Sequence, residues 1–119
     1  MSITFFNKRG TPIAYTEDNC NIFLFGGEPV AYIYGNSVYH YNGKHLGFFK
    51  DGWIRDNRGF CVLFSRDARD GPKHYTKDIG PVKSKKQEIP RMAPRSSEKN
   101  MLLIIQEWSK LSFKDFFNQ

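Results

Sequence analysis

The sequence predicts an all-β fold of four tandem β-hairpin repeats about a pseudo-fourfold axis, with an extended basic linker and a short C-terminal helical segment. Three observations favour this fold: glycines recur every 16 or 17 residues, apolar residues keep fixed offsets from them, and the composition changes near residue 68. We therefore predict a four-repeat β domain at 1–68, a Pro/Lys/Ser-rich basic linker at 69–96 and an amphipathic segment at 97–119.

Each repeat is centred on a glycine, which supplies the positive φ that tight hairpin turns require. An apolar residue lies five positions before the glycine, an aliphatic residue three positions after it and an aromatic residue five positions after it. This spacing predicts a short strand, a turn and a second short strand. The glycines are Gly10, Gly27, Gly43 and Gly59; the apolar residues are Phe5, Ile22, Val38 and Ile54; the aliphatic residues are Ile13, Val30, Leu46 and Val62; the aromatic residues are Tyr15, Tyr32, Phe48 and Phe64.

The aliphatic and aromatic positions are two residues apart, so regular strand alternation predicts that they share one face, with the aliphatic side chains forming an equivalent buried ring. The residue between them should then face the other way. It is small in three repeats, which indicates either a narrow channel or ligand site near the axis, or close backbone packing between hairpins. These residues are Ala14, Ala31 and Gly47, with Leu63 in the fourth repeat.

Three segments carry a family resemblance: Gly27–Tyr32, Tyr41–Phe48 and Asp51–Asp56. The pattern resembles the 4-fold β-flower domain family, in which four hairpin units surround a central pseudo-symmetry axis. The resemblance covers about residues 3–67, and the chain's last dozen residues are also similar to the end of family members. The fourth repeat departs from the pattern, because Arg55-Asp56 replaces the aromatic side of its first strand. The resemblance implies a fold but no established activity, and it transfers no catalytic residue.

The C-terminal half has a different character. Prolines recur between residues 69 and 99, and because they interrupt helix and strand alike, this stretch is predicted to be extended. Met101–Trp108 has the apolar content of about three helical turns, and Ser112–Asp115 predicts a capped final turn. We expect residues 101–117 to be buried, either on their own β domain or on a second copy of the chain.

The composition excludes several classes of protein. The chain has no run of about 18 or more apolar residues, as a membrane helix needs, and its N-terminus lacks a secretory leader pattern. Two cysteines, Cys20 and Cys61, are too few for a disulfide framework and have no partners at zinc-ligand spacing, although a bridge between them stays open in an oxidising compartment. We expect a cytoplasmic protein with reduced cysteines and no cofactor.

The leading functional hypothesis is a non-enzymatic binding or interaction module that takes a protein or small ligand and forms an oligomer. It rests on the scarcity of motifs with a known mechanism: the sequence has no phosphate-cradling loop with its lysine, no nucleophile elbow and no paired-histidine metal motif. The candidate ligand-binding residues are His40, Lys44, His45, Arg55 and Arg58.

A second hypothesis follows from the charge. Residues 69–119 hold eleven Lys and Arg against six Asp and Glu, which accounts for most of the net charge of +6. Such a segment either contacts the phosphates of a nucleotide or nucleic acid or is simply solvated. The candidate phosphate contacts are Lys83, Lys85, Lys86, Arg91 and Arg95.

A third hypothesis is an enzyme or metal site of unrecognised type. It would require His40, His45, Asp51 and Asp56 to converge in the fold. The alternative is that the histidines are turn residues and the aspartates end strands, since their spacing matches no known metal-ligand set.

Overall fold

The computed structural model describes residues 2–74, 82–100 and 103–119. Eight short antiparallel strands form a closed barrel in which each strand pairs with its sequence neighbours and the last pairs with the first. The prediction of four tandem hairpins is confirmed. The strands are β1 Ile3–Phe6, β2 Pro12–Thr16, β3 Asn21–Leu24, β4 Pro29–Tyr34, β5 Ser37–Tyr39, β6 His45–Lys50, β7 Trp53–Asp56 and β8 Cys61–Phe64, and one short helix, α1, spans Phe113–Phe117.

The four hairpins are closed by equivalent turns. In each, the N–H of the repeat glycine donates to the carbonyl oxygen three residues earlier, at 2.8 to 3.0 Å. The glycine then adopts a φ between 81° and 98°, where a side chain would be strained. This requirement explains why glycine is the most regular feature of the sequence.

A β-bulge follows every turn and changes which side chains face inward. Phe5 pairs with Ala14 and Phe6 pairs with Pro12, so Ile13 is an extra residue on its strand. The same register shift occurs in the other three hairpins. Because a bulge interrupts strict alternation, the aliphatic residue packs against the same core as the small residue after it. The prediction that the two face opposite ways was therefore wrong.

The barrel interior is built from four equivalent cross-strand pairs that join the apolar residue of the first strand to the residue after the bulge. In three of them a large side chain faces a small one, which leaves room for the opposite strands to approach. Ala14 and Ala31 are 0% exposed within the core, so they mark close packing. The pairs are Phe5–Ala14, Ile22–Ala31, Val38–Gly47 and Ile54–Leu63.

The aliphatic ring is not equivalent around the barrel, contrary to expectation. Leu46 and Val62 are buried, whereas Ile13 and Val30 are only partly buried. All four pack against the same core cluster. The difference arises at one end of the barrel, where the C-terminal segment lies near the third and fourth repeats: the Gln119 side chain donates to the Leu46 carbonyl at 3.1 Å.

The outer face of the barrel carries the aromatic residues, which join each repeat to the next. The second-strand aromatic of one repeat pairs with the first-strand residue of its neighbour, and three of these pairs are stacked rings with centroids 5.3 to 5.9 Å apart. In the fourth position Arg55 replaces the ring and pairs with Phe48. The stacked pairs are Tyr15–Phe23, Tyr32–Tyr39 and Phe64–Phe6.

The extended linker forms a strap, which we define as the described residues between 82 and 109. Successive contacts of the strap are nine residues apart, whereas the barrel glycines that it contacts are sixteen residues apart. Nine extended residues span about 30 Å, which is close to a quarter of the circumference of a disc 36 Å across. The strap therefore follows the barrel from one turn to the next. Its repeated bonds run from the N–H groups of Gln87, Ser96 and Ile105 to the carbonyl oxygens of Gly27, Gly43 and Gly59.

The strap also satisfies backbone donors that the bulges leave unpaired. The affected residue lies two positions after each turn glycine, and in the first two repeats it is proline, which has no N–H. In the third repeat the N–H of His45 donates to Ser96 Oγ at 3.1 Å. In the fourth, the N–H of Cys61 donates to the Glu107 carbonyl at 2.9 Å.

The helix predicted at Met101–Trp108 is not formed in its described residues, 103–108, and that prediction was wrong. The backbone there bonds to the barrel instead, because Cys61 exchanges bonds with Glu107 and Ser109. Leu103 and Ile104 are 63% and 46% exposed, so the apolar run is not wholly buried as expected.

The capped final turn is confirmed. The Asp115 N–H donates to Ser112 Oγ at 3.2 Å at the start of α1. Phe116 and Phe117 are buried in the core of the same chain, next to the turn end of the barrel. The C-terminal segment therefore docks on its own barrel.

Candidate binding site

The four residues of the predicted acid–base or metal cluster do not converge. Asp51 precedes β7 and Asp56 ends it, so they lie at opposite ends of the barrel. His40 Nδ1 accepts from the N–H of Asn42 within its own turn at 3.0 Å. Among the described residues no group of three or more His, Cys, Asp or Glu side chains is placed to hold a metal ion.

His45 is buried in a polar network on the outer face, beneath the strap. Its Nδ1 lies 2.8 Å from Asn57 Oδ1 and its Nε2 lies 2.9 Å from Ser37 Oγ. Burial lowers the pKa of His45, because desolvation penalises the imidazolium, and the hydrogen bond with Asn57 offsets only part of that effect. The ring is therefore neutral at pH 7.

Arg55 is a structural residue in this fold. It is 1% exposed, and its guanidinium donates to the carbonyl oxygens of Gly59 at 2.8 Å, Ile105 at 2.7 Å and Asp70 at 2.8 Å. These bonds tie the start of the linker and the end of the strap to the fourth repeat. Only Nε lacks a partner within the described chain. Arg55 thus has no donor directed to solvent where a ligand would bind.

Three of the five basic residues predicted to contact phosphate hold the strap to the barrel. Lys83 Nζ lies 4.3 Å from the centre of the Tyr15 ring, and the Arg95 guanidinium lies 3.8 Å from the centre of the Tyr34 ring. Lys86 forms an ion pair with Glu17. These three cations contact side chains of the barrel. Part of the linker's positive charge is therefore engaged within the chain.

The remaining predicted cations lie at the surface. Lys85 and Arg91 are exposed and have no side-chain partner among the described residues. Lys44 is exposed in the third turn, where its backbone N–H donates to Asn42 Oδ1 at 2.9 Å. The structure gathers none of these three with the others.

A cleft of about 530 Å³, the fourth-repeat cleft, lies where the turn between β7 and β8 meets the end of the strap. The turn supplies Arg58 and Phe60, and the strap end supplies Trp108. Trp108 is fixed by edge contacts with Trp53 and Phe64, at 5.5 and 6.1 Å between ring centres. The wall of the cleft is therefore aromatic and rigid.

The fourth-repeat cleft is lined by two cations, Arg58 and Lys110, and two carboxylates, Asp56 and Glu107. The carboxylate of Asp56 is occupied, since it accepts from the N–H groups of Arg58 and Phe60 and from the Ser109 hydroxyl, the last at 2.6 Å. The Arg58 guanidinium rests over the Phe60 ring, 5.2 Å from its centre.

The other two charged side chains that line the cleft are Lys110 and Glu107, and in the described structure neither has a side-chain partner. Arg58 and Lys110 therefore face the cleft with one free carboxylate. An anionic group on a ligand can pair with either of these cations.

A second cleft, also of about 530 Å³, lies at the opposite end of the barrel among the links between repeats. Its apolar floor is formed by Ile3, Ile33 and Phe49, which come from three different repeats and pack on the core. Lys50 and Asp51 at its rim carry opposite charges. The links between repeats thus leave an open cleft at this end, in which Phe49 is the one aromatic residue among those that line it.

Of the residues in the fourth-repeat cleft, the sequence singled out only Arg58 and the turn aspartate as site candidates. Phe60, Trp108 and Lys110 were missed because about fifty residues of linker separate the turn from the strap end. One signal was available: the fourth repeat is the one that departs from the pattern, and departures from local rules tend to cluster at functional sites.

The fold and the cleft define a class of protein, a closed barrel of four tandem hairpins encircled by its own C-terminal strap. The family model described as 4-fold beta flower protein matches residues 3–117. The chain belongs to this 4-fold beta flower family. No curated protein and no solved structure matches it. Within the described residues no helix is long and apolar enough to cross a membrane.

Proposed function

We propose that this protein is a non-enzymatic binding module that takes a small ligand with a planar apolar group and an anionic group in the fourth-repeat cleft. One observation carries the proposal: the Arg58 guanidinium lies over the Phe60 ring at the wall of a cleft in which the Asp56 carboxylate already accepts hydrogen bonds from two backbone N–H groups and the Ser109 hydroxyl. A planar group packs against Phe60 and Trp108 while its anion pairs with Arg58.

Binding rather than turnover is supported by the chemistry of the cleft. Its hydroxyl, that of Ser109, donates to the Asp56 carboxylate and accepts from the Leu111 N–H at 3.1 Å. That hydroxyl is therefore held in a structural network, in which the Asp56 carboxylate also accepts from two backbone N–H groups.

A nucleotide fits this proposal better than a nucleic acid. A nucleotide offers one base to stack and one phosphate to pair, which matches the size and charge of the cleft. A polymer needs several free cations along a track, and Lys83, Lys86 and Arg95 are engaged with the barrel.

The test is calorimetric titration of the full chain with a nucleoside monophosphate, the corresponding nucleoside, inorganic phosphate and an aromatic carboxylate. We expect the two ligands that combine a ring with an anion to bind at least about tenfold more tightly than the ring or the phosphate alone. Arg58→Ala should weaken their binding by about tenfold or more.

Arg9→Ala is the matched control, because Arg9 occupies the same turn position in the first repeat and its N–H makes the equivalent bond, to Asn7 Oδ1. If neither ring-and-anion ligand binds, or if both arginine variants behave alike, this proposal is wrong. Tighter binding of the aromatic carboxylate than of the nucleoside monophosphate would narrow the ligand class to carboxylates.

The expectation of an oligomer stays a prediction. Leu103 and Ile104 are adjacent, apolar and exposed, and they are where a second copy of the chain would pack. Light scattering of the parent and of a Leu103→Glu variant decides it: a concentration-dependent dimer that the variant abolishes supports self-association, and a monomer at all concentrations contradicts it.

A further inference from the structure

Ser37 and His45 lie on the outer face of the third repeat in a geometry that activates a hydroxyl group. Ser37 Oγ is 2.9 Å from His45 Nε2, and His45 Nδ1 is 2.8 Å from Asn57 Oδ1. This is the arrangement of a nucleophile, a base and a group that orients the base. Ser37 and His45 lie outside the fourth-repeat cleft, which Asn57 also lines, and their chemistry is independent of the proposed function.

The hydrogen bonds fix the tautomer of the imidazole. The Asn57 amide nitrogen donates to the His45 carbonyl oxygen at 3.2 Å, which turns Asn57 Oδ1, an acceptor, toward Nδ1. Nδ1 must therefore carry the proton. Nε2 is left with its lone pair directed at the Ser37 hydroxyl, as a general base requires.

The repeat architecture does not demand this pair. Every hairpin has two outer positions that correspond to Ser37 and His45. One lies on the first strand, and the other lies two residues after the turn glycine. The third repeat alone combines a hydroxyl with an imidazole. The equivalent pairs are Thr4 with Pro12, Asn21 with Pro29 and Trp53 with Cys61.

A pocket of about 330 Å³ reaches Ser37 from the surface. Two cations, Lys50 and Lys99, line it, and so do the amide side chains of Asn36 and Asn100. Cations and amide N–H groups are the donors that stabilise an oxyanion formed when a hydroxyl attacks a carbonyl. The pocket thus holds a nucleophile and groups suited to the charge that its reaction would develop.

The strap covers the pocket with a carboxylate. The Ser37 hydroxyl donates to Glu98 Oε1 at 3.3 Å, so this carboxylate competes with His45 Nε2 for the hydroxyl proton. The Glu98 charge also opposes any negative charge that develops at Ser37.

We propose that Ser37 is an activated nucleophile that accepts the acyl group of an activated ester, with His45 as general base and Asn57 as a positioning residue. Ser37 Oγ forms a bond to the acyl carbon while the bond from that carbon to the leaving oxygen breaks. The Ser37 proton passes to His45 Nε2 and from there to the leaving oxygen. The proposal concerns one acylation of the protein, with Glu98 limiting its rate.

The experiment treats the full chain with a fluorophosphonate, which labels activated serines, and locates the adduct by peptide mass mapping. Here an Oγ–P bond forms, the P–F bond breaks, fluoride leaves and the proton passes to His45. We expect a single adduct on Ser37, none on Ser37→Ala, and unchanged labelling in Ser65→Ala, which removes a different buried serine.

Four further variants test the assigned roles. His45→Gln should slow labelling about a hundredfold by removing the base. Glu98→Gln should accelerate it roughly tenfold by removing the opposing charge. Asn57→Ala should slow labelling, and Asn57→Asp, which keeps an acceptor facing Nδ1, should restore it.

A pH profile of labelling keeps the test decisive if a variant unfolds. The rate in the parent protein should rise as the pH approaches about 6.5 and level off above it, because the pKa of His45 lies below that ordinary histidine value. The titratable groups that face this site are Tyr39, Lys50 and the strap's Glu98 and Lys99. A flat profile, an adduct elsewhere than Ser37, or no adduct in both the parent and Glu98→Gln would overturn the proposal.

Discussion

The carbonyl group of Pro94 lies against the α-carbon of Gly43, in the space that a β-carbon on that residue would occupy. The same contact recurs between the strap and the turn glycines of the second and fourth repeats. Each glycine therefore serves twice: its φ closes the hairpin, and its missing side chain lets the strap approach.

Gly43→Ala should reduce the free energy of unfolding by about 2–4 kcal/mol, because left-handed strain adds to a clash with the strap backbone. Gly35→Ala is the matched control. Gly35 also has a positive φ, 62°, but a β-carbon added there would lie 3.5 Å from its nearest neighbour, a side-chain oxygen of Glu98, so only the strain of about 1–2 kcal/mol applies. Urea denaturation measures both, and equal losses would show that the strap does not pack as described.

Arg55→Met should loosen both ends of the linker. The three carbonyl oxygens that accept from the guanidinium lose a charged donor, at a cost of about 1.5–3 kcal/mol. Limited proteolysis should then cut the strap faster than in the parent. Arg9→Met, at an exposed turn position, should change neither the free energy of unfolding nor the rate of proteolysis of the strap. A strap equally resistant in both variants would contradict the role given to Arg55.

The protein should lose stability as the pH falls below about 6.5, the ordinary pKa of histidine. The pKa of His45 is lower in the folded chain than in the unfolded chain, so below pH 6.5 the unfolded chain binds the proton first and stability declines. Above that pH the ring is neutral in both the folded and the unfolded chain, so His45 no longer lowers the free energy of unfolding. His45→Gln should flatten this part of a melting-temperature profile, whereas His40→Gln should preserve it. A parent profile that is flat from pH 7 down to the range where carboxylates titrate would refute the assignment.

Phe116→Ala should destabilise the barrel by about 3–5 kcal/mol, because a fully buried ring is removed from the core. Phe113→Ala should cost less, since that side chain is only partly buried.

Deleting Met101–Gln119 should expose apolar surface and cause aggregation, which light scattering detects. A soluble truncated monomer that melts like the parent would show that the C-terminal segment is not part of the fold.

Local chemistry determined the elements that the sequence predicted correctly. Glycine is required at positive φ, so Gly10, Gly27, Gly43 and Gly59 marked four turns and set the strand order. A serine hydroxyl caps a helix through groups three residues away, so Ser112 and Asp115 marked α1. Such features depend on near neighbours in the chain and can be read without the fold.

The tertiary structure decided which groups at a distance satisfy one another. Apolar content did not show that the backbone at Glu107 would bond to Cys61 and not to its own helix, and strand alternation did not reveal the bulge at Ile13. Charge did not show that Lys83 would rest on Tyr15. A buried or closely packed group bonds to whichever partner the closed barrel and its strap bring within reach. That partner can lie tens of residues away in the sequence.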